Sequence, residues 1–413
     1  MHRDARGVLS SVLLTGLLGP PVAPSPTALP APPSSKIARL ESLLSGSPDN
    51  GSVMFRLAVA CAEQGDRDRA VAWLEKATAL GSDFDLANDP ALASLRTLSA
   101  FRQLEARARE RPPVHSSRIA FRIPEPDLIP EGIAWDPSER SFYIGSLYKR
   151  KIVRLGQHGT AHDFVASGRD GLWTVLGMKV DPVRRILWVN SAADSRAGEA
   201  AGSSGLFAFD LPSGRLLERH ILDGRTQKHL FNDLVVTTGG DVFLTDSESG
   251  AVYRHAFASR ALDAFLPAGS FSYPNGIALD EAGRRLYVAD FAKGISLVEI
   301  DTKKTSPLAH PPNVTLHDVD GLYRYDTSLV AIQNGAGMER VVQFRLDSTG
   351  RRVEGLRVLE SHNPRFRIPT TGAVVGSDFY YLANSQLESL GEDGRLSSGA
   401  PLEDVLILKT PLN

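Results

Sequence analysis

The dominant pattern along the chain is a short alternating apolar run, a polar turn, and a second run that ends on a polar residue. In residues 273–290 an Asn275-Gly276 step opens the run through Ile277 and Leu279, the turn Glu281-Ala282-Gly283 reverses it, and Leu286-Tyr287-Val288 leads back to Asp290. Alternation with period 2 on both sides of such a turn predicts a β-hairpin with a polar side chain at the mouth of each strand. The pattern recurs in residues 130–136 with 142–146, 176–181 with 186–190, 231–236 with 242–246, 319–323 with 329–333, and 370–375 with 379–384. Glu131, Leu176, Asn232, Asn275, Asp320 and Thr371 head the six hairpins, at steps of 45, 56, 43, 45 and 51 residues. A period in this range, with about four strands' worth of sequence per unit, predicts a six-bladed β-propeller over residues 117–412.

The segments between hairpins supply the outer strands, at 152–155, 205–209, 251–254, 295–298 and 341–345. Residues 119–123 precede the first hairpin and are expected to close the ring by pairing with the last strand, at 404–409. Such closure protects the edges of the first and last blades. The longest excursion, residues 191–204, is rich in Ala, Gly and Ser, and is read either as a lid over one mouth of the channel or as a plain surface loop.

Upstream, the period changes from 2 to 3.6. Over residues 35–111, Leu57, Ala58 and Cys61 recur at helical spacing, Gly65-Asp66 interrupts, and Ala70, Leu74, Ala77 and Leu80 resume before Gly81. Small residues at Ala58, Gly65, Ala70 and Ala77, with bulky Phe55 and Trp73, resemble one tetratricopeptide repeat. Asp89 before Pro90 predicts the N-cap of a further helix. One such hairpin buries little surface alone, so it is expected to pack on the propeller or on another copy, and it is a candidate module for a protein partner. Cys61 on its apolar face is assigned to the core. Residues 1–28 have a basic start and a short apolar stretch and read as an export signal, which predicts a secreted or periplasmic protein; the alternative is a cytosolic tail. Residues 29–34 read as the end of a Pro/Ala-rich linker.

Composition narrows the function. The 413 residues, 42% hydrophobic and 23% charged, carry a formal net charge of −2 and no long basic run, which argues against a nucleic-acid partner. A single cysteine excludes an internal disulfide framework, and the apolar stretch near the start is too short to span a membrane in the mature chain.

Propeller geometry turns the hairpin heads into a site. The innermost strand of each blade lines a shared axis, so equivalent positions converge on one ring. Glu131 and Asp320 bring two carboxylates there, Asn232 and Asn275 two amides. Oxygen donors alone, with no Cys or His in the ring, make a calcium-type inventory, with other divalent cations as alternatives. Ser146, Asn190, Asp246, Asp290, Gln333 or Asn334, and Asn384, at the ends of the returning strands, are candidates to orient the ligands. Asn190 and Trp173 are candidate substrate contacts. His229 and His317, just before ligand positions, are candidate proton carriers or structural residues. No Gly-x-Ser-x-Gly motif supports serine hydrolysis.

The motifs Pro130-Glu131-Gly132, Phe231-Asn232-Asp233, Pro274-Asn275-Gly276 and Val319-Asp320-Gly321 resemble those of the senescence marker protein/gluconolactonase (regucalcin-like) family, related to paraoxonases and strictosidine synthase-like propellers. The resemblance covers roughly residues 117–412. It implies one catalytic cation, usually calcium, at the residues matching Glu131, Asn232, Asn275 and Asp320, which polarises a lactone carbonyl and lowers the pKa of a bound water, with Asp320 as base. The chain departs from these relatives at Leu176, where paraoxonases place a His, and at Leu230, where sugar-lactone hydrolases carry an Arg. Asp233 matches a second-cation ligand of paraoxonases, whereas Gly132 stands where those proteins carry an acid. The expected function is a calcium-dependent lactonase acting on a small molecule. The alternatives are a non-enzymatic scaffold with a structural calcium in the channel, and a metal-free binder of sugars or peptides.

Overall fold

The computed structural model describes residues 36–82, 84–110 and 113–413. The export signal over 1–28 and the linker over 29–34 lie outside them. Helices α1 (Lys36–Gly46), α2 (Gly51–Glu63), α3 (Arg67–Ala79) and α4 (Ser99–Arg109) come first, with a 3-10 turn at Pro90–Leu95 between the last two. No described helix is long and apolar enough to cross a membrane.

The helices end where the sequence supplies caps. Asn50 accepts from the Val53 amide at the head of α2, and Asp66 accepts from Arg69 at the head of α3. Asp89 caps the Ala91 amide, but a 3-10 turn follows it rather than an α-helix. The apolar stripes of α2 and α3 meet in a core of Leu57, Ala58, Cys61, Ala70, Leu74 and Ala77, with Cys61 fully buried.

Twenty-four strands make six four-stranded sheets among the described residues. Strands β2 (Pro130–Asp136), β6 (Thr174–Asp181), β10 (Phe231–Val236), β14 (Pro274–Leu279), β18 (Val319–Tyr325) and β22 (Gly372–Val375) are innermost. Each packs on the next, and β22 packs back on β2, so the ring closes as a propeller of six blades. Five sheets run outward in chain order. The sixth is β22, β23 (Asp378–Leu382), β24 (Val405–Pro411) and then β1 (Arg118–Ile123), which pairs antiparallel to β24 from Arg118↔Lys409 to Ile123↔Val405. The expected closure by the first and last strands is therefore present.

In five blades the inner strand breaks register with its partner at one place. The breaks fall across Glu131-Gly132, Leu176-Gly177, Asn232-Asp233, Asn275-Gly276 and Asp320-Gly321. A β-bulge takes two residues off the ladder and re-aims them. The first of each pair is the ring residue. The second presses on the next blade: a Cβ on Gly132 would lie 2.0 Å from the Leu176 carbonyl oxygen, one on Gly177 2.4 Å from that of Asn232, and one on Gly276 2.4 Å from that of Asp320. Glycine is required there because backbone meets backbone.

Gly132→Ala should therefore cost about 2–3 kcal/mol by overpacking, whereas Gly46→Ala, with no heavy atom within 4 Å of its Cβ position, should be nearly silent in the same denaturant titration. Deletion of residues 405–413 removes the buried Val405, Leu406, Ile407 and Leu408. At about 2–5 kcal/mol for each truncated aliphatic side chain, the loss exceeds the roughly 5–15 kcal/mol stability of a typical domain. The deleted chain should show no cooperative thermal transition; one at an unchanged midpoint would disprove closure by β24.

Candidate metal centre on the propeller axis

The bulges bring the expected ring residues to one mouth of the channel. Glu131, Asn232, Asn275 and Asp320 are all buried there, with Leu176 and Thr371 at the two remaining positions. The Asp320 carboxylate accepts a hydrogen bond from Asn275, and its Oδ2 accepts from Asn334 Nδ2 at 2.6 Å. Asn232 Nδ2 donates to Ser247 Oγ at 3.0 Å, and Ser247 Oγ in turn donates to the Pro274 carbonyl at 2.6 Å, which ties the third ring position to the fourth. Thr371 Oγ1 donates to the Glu131 carbonyl, joining the last blade to the first.

Charge is concentrated here without full compensation. Glu131 Oε2 is buried with no hydrogen-bond partner, as is Asp233 Oδ2. Burial, with the carboxylates of Asp320 and Asp233 nearby, holds the Glu131 carboxyl well above the usual range against the pull of Lys179. Burial likewise pushes Asp320 up to about 7, more strongly than the hydrogen bonds from Asn334 and Asn275 pull it down. Three carboxyl groups, Glu131, Asp233 and Asp320, crowd here with Lys179 as the opposing ammonium among the described residues, so ionising all three would leave an excess of negative charge. A divalent cation would restore neutrality, and an orphaned buried carboxylate oxygen is what its ligand looks like without it.

Beneath the ring, Lys179 Nζ lies 3.8 Å from Asp233 Oδ1 and 4.5 Å from the centre of the Tyr323 ring. Lys179 and Tyr323 each stand three residues past a ring position, in blades two and five, so they meet across the axis. Tyr323 OH accepts from the Gly372 amide at 2.7 Å. Tyr273 is a further residue of this site that the sequence did not single out. Its phenol is raised by burial and by the charges of Glu248, Asp320 and Glu131.

The returning strands support the ring in a repeated way. Where each ends, a side chain holds the segment that leads into the ring residue of its own blade. Ser146 Oγ donates to the Leu128 carbonyl, Ser191 Oγ accepts from Trp173 N at 2.9 Å, and Asp246 Oδ1 accepts from Leu230 N at 2.8 Å. Asp290 Oδ2 accepts from Ser272 N at 2.7 Å, Gln333 Nε2 donates to the His317 carbonyl at 2.7 Å, and Ser385 Oγ donates to the Ile368 carbonyl at 2.7 Å. Asn384 instead bonds the Asp404 carbonyl and the Leu406 amide of its own sheet. Asn190 is fully buried, and its Nδ2 donates to the Asn232 carbonyl at 3.2 Å. Trp173 is half-buried just before the second ring position.

The two histidines fall in different surroundings. His229 Nδ1 is 2.6 Å from Asp246 Oδ2, which fixes the ring beside the third ligand motif. His317 points away from the axis, into the contact with the helices: its Nε2 is 3.0 Å from Ser47 Oγ and 3.6 Å from Asp49 Oδ1. That contact extends along the same rim. Asn50 Nδ2 donates to the Ala292 carbonyl at 3.0 Å, Ser52 Oγ donates to Asp318 Oδ2 at 2.6 Å, and Met338 is buried in the helical core. The helices thus hold the 335–338 loop that follows Asn334. The 191–204 excursion carries a 3-10 turn at Ser195–Ala200, and Arg196 ties it to blade one by hydrogen bonds to the Tyr148 and Leu147 carbonyls.

Fold and site together define a six-bladed propeller with an acidic, oxygen-lined axial centre. The chain belongs to the SMP-30/gluconolactonase/LRE-like family, whose sequence model matches residues 129–336, half of the chain. No curated protein sequence matches it. Among solved structures it is similar to regucalcin, a calcium-binding protein from Agrobacterium tumefaciens, at 16% identity and a TM-score of 0.49 over 71% of this chain and 93% of that one. It is also similar to a gluconolactonase from Xanthomonas campestris, at 15% identity and a TM-score of 0.48 over 73% and 91%.

The helical contact makes a pH prediction. Burial pushes the His317 imidazolium down to about 4 from 6.5. As pH falls through that window the unfolded chain takes up a proton that the folded chain refuses, so this residue's contribution to stability is lost, on the order of 3 kcal/mol by its low end. Asp318, pushed up to about 6 by burial, acts in the opposite sense: its contribution is lost as pH rises from about 4 to about 6. The two offset each other in a melting curve, so the check is an NMR titration of the His317 ring. A midpoint near 4 is expected; one near 6.5 would mean that the ring is solvated.

Proposed function

We propose that the chain is a calcium-dependent hydrolase of the lactonase type, with the cation held by Glu131, Asn232, Asn275 and Asp320. The observation that carries this reading is the convergence of Glu131 and Asp320 in a buried ring, with Asp233 beside it, where Glu131 Oε2 has no partner, in a chain of the gluconolactonase-like family. Two carboxylates and two amide carbonyls suit a hard cation. The single cysteine lies in the helical core, and neither His229 nor His317 is a ring residue, so the ring offers nothing to draw a softer metal. Bound there, the cation supplies Lewis-acid polarisation of an ester carbonyl and a lowered pKa for an adjacent water.

The protein's own groups bind, orient and move the proton. Asn334 and Asn275 fix the Asp320 carboxylate, so its oxygens face the ring in one orientation. Asp320 takes the proton of the attacking water. Opening a lactone leaves the departing alkoxide tethered to the product, so the same carboxyl returns that proton to the alkoxide and no separate acid is needed. His229, oriented at Nδ1 by Asp246, is a second proton carrier at the rim. Leu176 gives the ring one apolar wall, which excludes water on that side and favours a small organic substrate.

A crossed experiment tests the site. In chelator, Glu131→Gln should be as stable as the wild type or more so, by about 1–3 kcal/mol, because it removes a buried carboxylate without a partner. With calcium at about 100 times its dissociation constant the wild type should gain about 2.7 kcal/mol in calorimetry, and the variant should lose that gain. A panel of small lactones, assayed with and without chelator, then tests the chemistry. Calcium-dependent turnover that Asp320→Asn abolishes is expected; a calcium-dependent rise in melting temperature with no turnover of any lactone would favour the scaffold reading instead.

A further inference from the structure

A second cluster of metal-ligating side chains lies far out on the blades. On β9 (Leu216–Leu222), the outermost strand of blade two, Glu218 and His220 share one face. His255, on β12 (Ala251–Ala256) of blade three, meets them. Glu218 Oε2 is 3.1 Å from His220 Nε2 and 3.1 Å from His255 Nε2, and the donor atoms of all three residues lie within 4.8 Å of one another. We propose that Glu218, His220 and His255 form a separate site for a divalent first-row transition metal, of the zinc class, that clamps blade two to blade three.

The strand carrying two of these residues is patterned against the usual rule. Its inward face reads Leu216, Glu218, His220 and Leu222, so two polar side chains turn inward between two apolar ones, whereas Leu217 and Ile221 stand exposed at 37% and 40%. A strand that held the blades together only by apolar packing would carry apolar residues at 218 and 220 as well. Departures of this kind concentrate where function imposes them.

The geometry suits a small cation. At metal–ligand bonds of about 2.1 Å, a donor separation of 3.1 Å corresponds to an angle of roughly 95° at the metal, close to the octahedral value. His220 is partly exposed, and the third edge, between the two histidines, is no longer than 4.8 Å. The donor set decides the class: two imidazoles and one carboxylate favour zinc and its neighbours over calcium, so this site and the all-oxygen ring select different ions. Three protein donors leave room for water on the solvent side.

The surroundings hold the donors ready. His255 is fully buried, its ring 4.8 Å from that of Trp188 and 4.9 Å from that of His220. Arg260 Nε, 3.4 Å from Glu218 Oε1, steadies the carboxylate through the oxygen that the histidines do not share. Ligation at Nε2 places the ring proton on Nδ1. In His255 that atom is buried without a partner, so the proton it would carry has no protein acceptor there.

The test keeps the axial site out of the measurement by working in saturating calcium. Zinc chloride added to the wild type should raise the melting temperature saturably, and cobalt(II) should bind one per chain with the visible absorption of a nitrogen-ligated ion. His220→Gln, on a partly exposed outer strand, should abolish both signals while leaving the calcium-dependent stabilisation unchanged. Glu218→Gln, which keeps the side-chain shape, should weaken zinc binding at least tenfold and serves if the first variant does not fold. The proposal is overturned if zinc gives no saturable shift in the wild type, if both variants bind it as the wild type does, or if Asp320→Asn loses it while His220→Gln keeps it. In the last case the ion sits on the axis.

Discussion

Everything at the centre of this propeller depends on one close approach, the contact of an inner-strand bulge with the backbone of the next blade. Each bulge lifts two residues off the ladder. One aims its side chain at the axis, and the other, with no Cβ in blades one, two, four and five, lets a neighbouring backbone come within van der Waals reach. Closure of the ring and formation of the site are thus the same event. Blade three confirms the rule by its exception: Asp233 stands in the glycine position, and its carboxylate accepts from the Leu234 and Ile277 amides.

The strands, their order and the closing pair were legible because alternation and turn residues are local signals, and a blade repeats them about every 45 residues. The ring positions followed from the same spacing. The bulge did not, because Asn275-Gly276 or Asp320-Gly321 reads equally well as the corner of a turn; only the next blade shows that the glycine serves a contact. The bulge also hid the layer beneath the ring. It shifts the alternation by one, so Lys179 and Tyr323 look like ordinary strand residues until two opposite blades place them 4.5 Å apart. Tyr273 and the pairing of Asp246 with His229 are likewise products of tertiary geometry.

The helical segment was legible as helices and as a body that packs on the propeller or on another copy, but the residues that make its docking surface were not. Its contact with the propeller is made by small polar residues, Ser47, Asn50 and Ser52, meeting His317, the Ala292 carbonyl and Asp318. No periodicity announces such a surface. Its consequence lies nearer the chemistry than the sequence suggested, since Met338 anchors in the helical core a loop that begins one residue after Asn334, the partner of Asp320.

The acids on the axis are not there for the fold. Blade two closes with Leu176 at the ring position and blade six with Thr371, so the bulge-to-backbone contact places no demand on side-chain chemistry. A buried carboxylate costs several kcal/mol unless it is paired, and Glu131, Asp233 and Asp320 have Lys179 as the one ammonium acting on Glu131 and Asp233. Leucine or glutamine at positions 131 and 320 would remove that cost, and blade two carries leucine at the equivalent position, Leu176. Both carboxylates stand in the ring nonetheless, with Asn334 and Asn275 bonded to one of them, and the proposed cation would offset their charge.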